Sequence, residues 1–109
     1  MSDAPVTLIN VFEVPAEDVD AFIERWQVRA NIMSAQPGFR DSRLHRALSS
    51  ESRFQIVNIA HWDSRADLVA AQSAPAFVAS LKELSADPTA RFTANPAAYE
   101  VVLDVDPAG

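Results

Sequence analysis

Apolar and polar residues alternate along several short segments of the chain, which is typical of strands that bury one face. Residues 6–14 (VTLINVFEV) predict a first strand, and Pro15 ends it and opens a helix. From Val19 the apolar residues change to helical spacing, and Pro37-Gly38 ends that helix. The apolar stripe comprises Val19, Phe22, Ile23, Trp26, Ala30 and Met33.

The second half of the chain shows the same two spacings, separated by turn residues. Ser64 followed by Asp67 resembles a capping box, which marks the start of a helix. Prolines and asparagine interrupt the pattern before the end and predict a loop there. The expected elements are strands over 39–48, 53–62 and 98–105, helices from Ser64 to about Gln72 and from Pro75, and a loop over 87–97.

The resulting order, β-α-β-β-α-α-β, is the split βαβ or ferredoxin-like pattern of an α+β protein. Right-handed crossovers then give a four-stranded antiparallel sheet with helices on one face. In the usual strand order 4-1-3-2, strands one and three lie at the centre. We expect one domain over residues 1–109, with its core at about 6–105.

The sheet face away from the helices is also predicted to be apolar. It carries Ile9 and Val11 from the first strand, and Val57 and Ile59 from the third. A sheet that is apolar on both sides does not leave one side in water. We therefore expect a homodimer in which two sheets form a closed α/β barrel.

Two asparagines and a tryptophan stand out on the central strands. Asn10 shares a strand face with Leu8 and Phe12, and Asn58 shares one with Trp62. Asparagine is depleted in strands, and a buried amide without a partner costs about 1–3 kcal/mol. A polar ligand held between the sheet and the helices would satisfy both amides.

Composition excludes several functional classes. The net charge is −6 and the basic residues are scattered singly, which argues against nucleic acid or an anionic membrane as partner. There is no cysteine for a thiolate metal site, and two glycines are too few for a phosphate-binding loop. Two histidines without a carboxylate or cysteine at ligand spacing predict no metal site. The chain shows no signal peptide or membrane span, which indicates a cytoplasmic protein.

The chain resembles the antibiotic biosynthesis monooxygenase family from about Val6 to Val102. The resemblance rests on VTLINVFEV at 6–14, AQPGF at 35–39, VNIAHWDS at 57–64 and SAPAF at 73–77. The combination of Asn10, Asn58 and Trp62 is narrower and resembles the cofactor-independent anthrone oxygenases of aromatic polyketide pathways.

This resemblance implies an oxidoreductase of antibiotic biosynthesis that converts an anthrone-like or hydroquinone-like aromatic polyketide to a quinone. O₂ is then the co-substrate, and no other cofactor is expected. Asn10, Asn58 and Trp62 are the expected catalytic residues. The expected substrate-binding residues are Phe22, Trp26, Leu68 and Phe77.

Some residues depart from the family pattern. Leu68 stands where related quinone-forming members often carry a tyrosine. Leu81 is near the position of the histidine ligand of heme-degrading members, which argues against heme degradation. No general base is evident. A polyketide cyclase or isomerase, or a ligand-binding barrel without activity, therefore stays open beside the oxygenase, because fold alone does not decide function.

Overall fold

In the part of the chain that the structure describes, four strands and three α-helices follow one another in the order that the hydrophobic pattern predicts. The computed structural model of the chain describes residues 4–108. In chain order the elements are β1 (Val6–Glu13), a 3₁₀ turn (Ala16–Asp18), α1 (Val19–Ser34), β2 (Phe39–Arg46), β3 (Ile56–Trp62), α2 (Arg65–Gln72), α3 (Pro75–Ala86) and β4 (Thr93–Tyr99).

The strands form one antiparallel sheet in the order β2-β3-β1-β4, which confirms the predicted 4-1-3-2 arrangement. β1 and β3 are the central pair, and their register places Asn10 directly opposite Asn58. Side chains alternate between the faces of a strand. Even-numbered residues of both strands therefore share the face that the helices cover.

The turn into β2 packs closely against the start of α2 at Gly38. The backbone φ of Gly38 is +86°, a conformation that side-chain-bearing residues rarely adopt. A Cβ at this position would come within 2.5 Å of the Asp67 side chain. The backbone N–H of Asp67 donates to Ser64 Oγ at 3.1 Å, so the predicted N-cap of α2 is confirmed.

The last strand lies earlier in the chain than the sequence pattern predicts. Residues 87–97 were expected to be a loop and 98–105 a strand, but β4 runs from Thr93 to Tyr99. β4 lies at the sheet edge, where proline is tolerated because its missing N–H can face outward. Pro96 therefore does not break the strand, and the apolar residues that follow are exposed outside the sheet.

Three other boundaries differ from those that the sequence predicts. Strands β2 and β3 are shorter than expected because the Gln55 side chain closes the loop between them. Its Nε2 donates to the carbonyl oxygens of Ser49 and Ser52 at 3.0 and 2.7 Å. At the start of α1, Pro15 caps a 3₁₀ turn rather than the α-helix itself.

The helix-facing side of the sheet carries two apolar clusters with the asparagine pair between them. The first cluster is built around Phe12, Phe22 and Ile56, and the second around Trp62 and Leu68. In the β1–β3 register, Phe12 pairs with Ile56 and Val6 with Trp62. Asn10 and Asn58 lie between these two pairs, so polar groups occupy the middle of the sheet where apolar packing is interrupted.

The opposite face of the sheet is apolar at its centre. Ile9, Val11, Val57 and Ile59 are only half-buried, since no helix covers them. Within residues 4–108, none of the helices has the length and apolar character needed to cross a membrane.

Candidate functional site

A cavity of about 280 Å³ lies between the helix-facing side of the sheet and helices α1 and α3. Its size is just below the range of roughly 300–1,000 Å³ found for small-molecule sites. All four strands and all three helices contribute to it, so its shape depends on the whole fold. Its apolar lining includes Leu8, Phe12, Met33, Phe39, Leu84 and Phe92.

Asn10 lines this cavity with its amide oxygen already engaged. The backbone N–H of Asn95 on β4 donates to Asn10 Oδ1 at 3.0 Å. Asn95 also donates from its own side chain to the carbonyl of Val11 at 3.0 Å. Because a backbone N–H can only donate, this contact fixes the Asn10 oxygen toward β4 and leaves its NH₂ group without a partner among the described residues.

Asn58 lines the same cavity, and its amide oxygen is also hydrogen-bonded within the protein. Its Oδ1 accepts a hydrogen bond from the Ser42 hydroxyl at 2.6 Å. Asn58 is 7% exposed, yet its amide nitrogen keeps accessible surface and has no partner within residues 4–108. Both amides therefore offer N–H donors, and their acceptor oxygens are used by the protein.

Trp62 forms part of the cavity wall but is a core residue. Its side chain is 1% exposed and packs edge-to-face against Phe39, with ring centroids 5.3 Å apart. Its indole nitrogen is buried and, among the described residues, has no hydrogen-bond partner. The nitrogen has no surface that a ligand in the cavity can contact, so a wall position describes Trp62 better than a donor position.

The four predicted substrate-binding residues divide into two pairs. Trp26 on α1 and Phe77 on α3 line the cavity. Phe22 is 5% exposed and packs edge-to-face on Phe12 in the first core cluster. Leu68 is 2% exposed in the second cluster. Phe22 and Leu68 are therefore not among the residues that line this cavity, because their side chains pack in the core.

Sequence reasoning missed Arg29, which lies on α1 among the cavity-lining residues. It is 9% exposed, and burial lowers the pKa of its guanidinium from the ordinary value. A guanidinium stays charged in proteins even so. The helical spacing indicates that Arg29 shares the inward face of α1, since position 29 follows Phe22 by seven residues and Trp26 by three.

The histidines lie outside the cavity, on the other face of the sheet. His61 Nδ1 is 2.6 Å from Asp41 Oδ1, and His45 Nδ1 is 3.3 Å from the carbonyl oxygen of Val57. The cavity lining contains no histidine, cysteine or tyrosine, and Leu81 lines it on α3. The cavity thus offers flat aromatic walls but none of those three iron-ligating side chains of heme proteins.

Comparison with known proteins identifies the relatives of this fold. The model of the antibiotic biosynthesis monooxygenase family matches residues 5–83. A Mycobacterium tuberculosis protein named heme oxygenase (mycobilin-producing) is 35% identical over an alignment that covers 96% of this chain and 96% of that one.

Solved structures give the same fold. The heme-degrader MhuD of Mycobacterium tuberculosis, with two hemes bound in its active site, is 32% identical. The match covers 93% of this chain and 99% of that one, with a TM-score of 0.69. SnoaB, a cofactor-independent oxygenase of Streptomyces nogalater, is 24% identical over 95% of this chain and 99% of its own, with a TM-score of 0.74. At that identity the likeness to SnoaB shows the fold alone.

These relatives overturn one prediction. An aromatic polyketide and O₂ were expected to be the only small molecules involved, with no cofactor. MhuD degrades heme, and its solved structures hold heme or manganese protoporphyrin. The prediction of no cofactor is therefore wrong, and a heme-type substrate becomes a candidate for a cavity of this fold.

Proposed function

Because the chain belongs to the antibiotic biosynthesis monooxygenase family, we propose that it oxidises a flat polycyclic aromatic substrate whose oxygen atom is bound by Asn10 and Asn58. The anthrone or hydroquinone class fits this arrangement best. The aromatic residues Trp26 and Phe77 supply walls against which fused rings can pack.

One observation carries the proposal. Two amide NH₂ groups lie on directly paired residues of the central strands, and both amide oxygens accept hydrogen bonds from the protein. Residues paired in this way have Cβ atoms about 4.5–5.5 Å apart. One substrate oxygen can therefore reach both donors. Donors without acceptors favour an oxygen that becomes negative during the reaction.

Enolate formation supplies such an oxygen. An anthrone loses a proton from its central ring carbon, and the negative charge moves to the carbonyl oxygen that the amides bind. Among residues 4–108, none of those lining the cavity is a carboxylate or imidazole, so the proton passes to solvent. O₂ is the oxidant for this anion. One oxygen atom enters the product as the second quinone carbonyl and the other leaves as water, so one O₂ is consumed per quinone.

Heme is the second candidate substrate, and the observation that favours it is the 35% identity to heme oxygenases over nearly the whole chain. The aromatic walls suit a planar macrocycle, and Arg29 supplies a cation in the same cavity. The lack of a histidine, cysteine or tyrosine ligand in the lining disfavours it.

Oxygen uptake with two substrate panels separates the candidates. Purified protein is mixed with anthrones and hydroquinones, and separately with heme and an electron donor, while O₂ and the absorbance spectrum are followed. The proposal expects one O₂ consumed per quinone in the first panel. Loss of the heme absorbance with appearance of an open-chain tetrapyrrole, and no quinone, would give heme precedence.

The same experiment tests the alternative functions, a cyclase or isomerase and a binding protein without activity. Conversion of an aromatic polyketide without O₂ uptake would indicate a cyclase or isomerase. Ligand-dependent thermal stabilisation without turnover of any substrate would indicate a binding protein. Either result would contradict the oxygenase proposal.

A further inference from the structure

Arg29 is a largely buried cation that pairs with no carboxylate among residues 4–108, and its guanidinium nitrogens keep some accessible surface. It is 9% exposed, and within residues 4–108 no carboxylate or hydrogen-bond acceptor contacts its guanidinium. Arginine is almost never fully buried unless it is paired. A buried charge without a partner is costly, so the position of Arg29 needs a physical reason.

The other arginines are each paired with a carboxylate or exposed to solvent. Five of them pair with carboxylates at the surface, and Arg43 and Arg65 are exposed to solvent. Arg29 combines burial with the lack of an internal acceptor. The ion pairs are Arg25–Asp87, Arg40–Asp63, Arg46–Asp20, Arg53–Glu13 and Arg91–Asp18.

Arg29 lies in the wall of the cavity that the amide pair also lines. It lies one helical turn from Trp26 on α1, and both residues line the same space as the amide pair on the sheet. Helix α1 covers the sheet, so a ligand between them has the amides on one side and Arg29 on the other. The guanidinium presents a planar fork of N–H donors, which matches a carboxylate in two-point contact.

We propose that Arg29 is the binding site for a carboxylate carried by the cavity's ligand, so that the substrate is a polycyclic aromatic acid rather than a neutral ring system. This rests on the proposed function for the choice of an aromatic ligand. The carboxylate pairs with Arg29, and the ring oxygen at the other side of the ligand accepts from Asn10 and Asn58.

Equilibrium binding of acid and ester pairs tests the proposal without turnover. The probes are an anthraquinone carboxylate with its methyl ester, and protoporphyrin with its dimethyl ester, titrated anaerobically by quenching of tryptophan fluorescence. The two pairs distinguish a fused-ring acid from a tetrapyrrole acid as the source of the carboxylate. We expect at least one acid to bind about 10- to 100-fold more tightly than its ester.

Variants assign that preference to Arg29. Arg29→Gln should remove the preference for the acid while the affinity for the ester stays within about threefold. Arg29→Lys should keep part of it, since the charge remains and the fork is lost. Arg65→Gln makes the same change at an exposed arginine and should bind like the wild type.

Stability separates a binding role from a structural one. Without ligand, Arg29→Gln should melt at the same temperature as the wild type or higher, because it removes an unpaired buried charge. A lower melting temperature together with an unchanged preference for the acid would make Arg29 structural and overturn the proposal.

Two wild-type results would overturn it as well: an acid that binds no better than its ester, or no binding of any probe. Because these measurements need no oxidation, a failure of the oxygenase proposal in the uptake assay leaves this result unaffected.

Discussion

Asn10 and Asn58 face each other across β1 and β3, and each has its amide oxygen held by a different neighbouring strand. Asn95 on β4 holds the first, and Ser42 on β2 holds the second. The two outer strands thus orient the two central amides. Donors that are already oriented need no reorganisation when charge develops on a substrate oxygen, which is the condition for strong electrostatic stabilisation.

Ser42→Ala should slow oxidation without unfolding the protein. Loss of the hydroxyl frees the Asn58 amide to rotate, so its NH₂ group points at the substrate for only part of the time. We expect kcat to fall about tenfold, with KM changed less, in steady-state assays of quinone formation. Ser34→Ala, at an exposed serine of α1, is the matched control. An unchanged kcat would show that Ser42 does not orient Asn58.

Trp62→Phe should change stability more than catalysis. The indole nitrogen is buried and has no accessible surface for a ligand, so its loss should remove no contact to the substrate. We expect kcat/KM within about threefold of the wild-type value, whereas Trp62→Ala should destabilise the fold by about 3–5 kcal/mol. Denaturant unfolding and steady-state kinetics measure both effects. A large loss of kcat in Trp62→Phe at wild-type stability would instead give the N–H group a direct role.

Gly38→Ala should destabilise the protein by about 1–3 kcal/mol. The positive φ is unfavourable for alanine, and the new Cβ would overlap the Asp67 side chain. Chemical denaturation measures the loss. Adding Asp67→Ala should recover only the part that is due to overlap, so a double variant as stable as Asp67→Ala alone would refute the backbone contribution.

The central part of the fold and site was predictable because alternation and helical spacing are local signals. They identify the faces of β1 and β3, and strand order then brings Asn10 and Asn58 together. The edge strand was not predictable, since a proline at 96 is compatible with a strand only when no second neighbour needs its N–H. Nor do local patterns show that Phe22 and Leu68 pack in the core, because that depends on how helices sit on the sheet.

We predict a homodimer formed through the uncovered sheet face. Ile9, Val11, Val57 and Ile59 are half-buried there in the single chain, and a second sheet would complete their burial. Sedimentation velocity should show a dimer at micromolar concentration, and Val57→Glu should dissociate or unfold it. Val69→Glu places the same charge on an exposed position of α2 and should stay dimeric. A monodisperse wild-type monomer would contradict the prediction.

Oxygen consumption by Asn58→Ala with an anthrone substrate tests the central claim most directly. If the Asn58 amide donates to the developing enolate oxygen, the rate should fall by about 10–10³-fold, with the melting temperature close to that of the wild type. Asn31→Ala, at an exposed asparagine of α1, should consume oxygen at the wild-type rate. An Asn58→Ala variant that keeps full activity and unfolds at a lower temperature would show that the amide is structural, and would contradict this account.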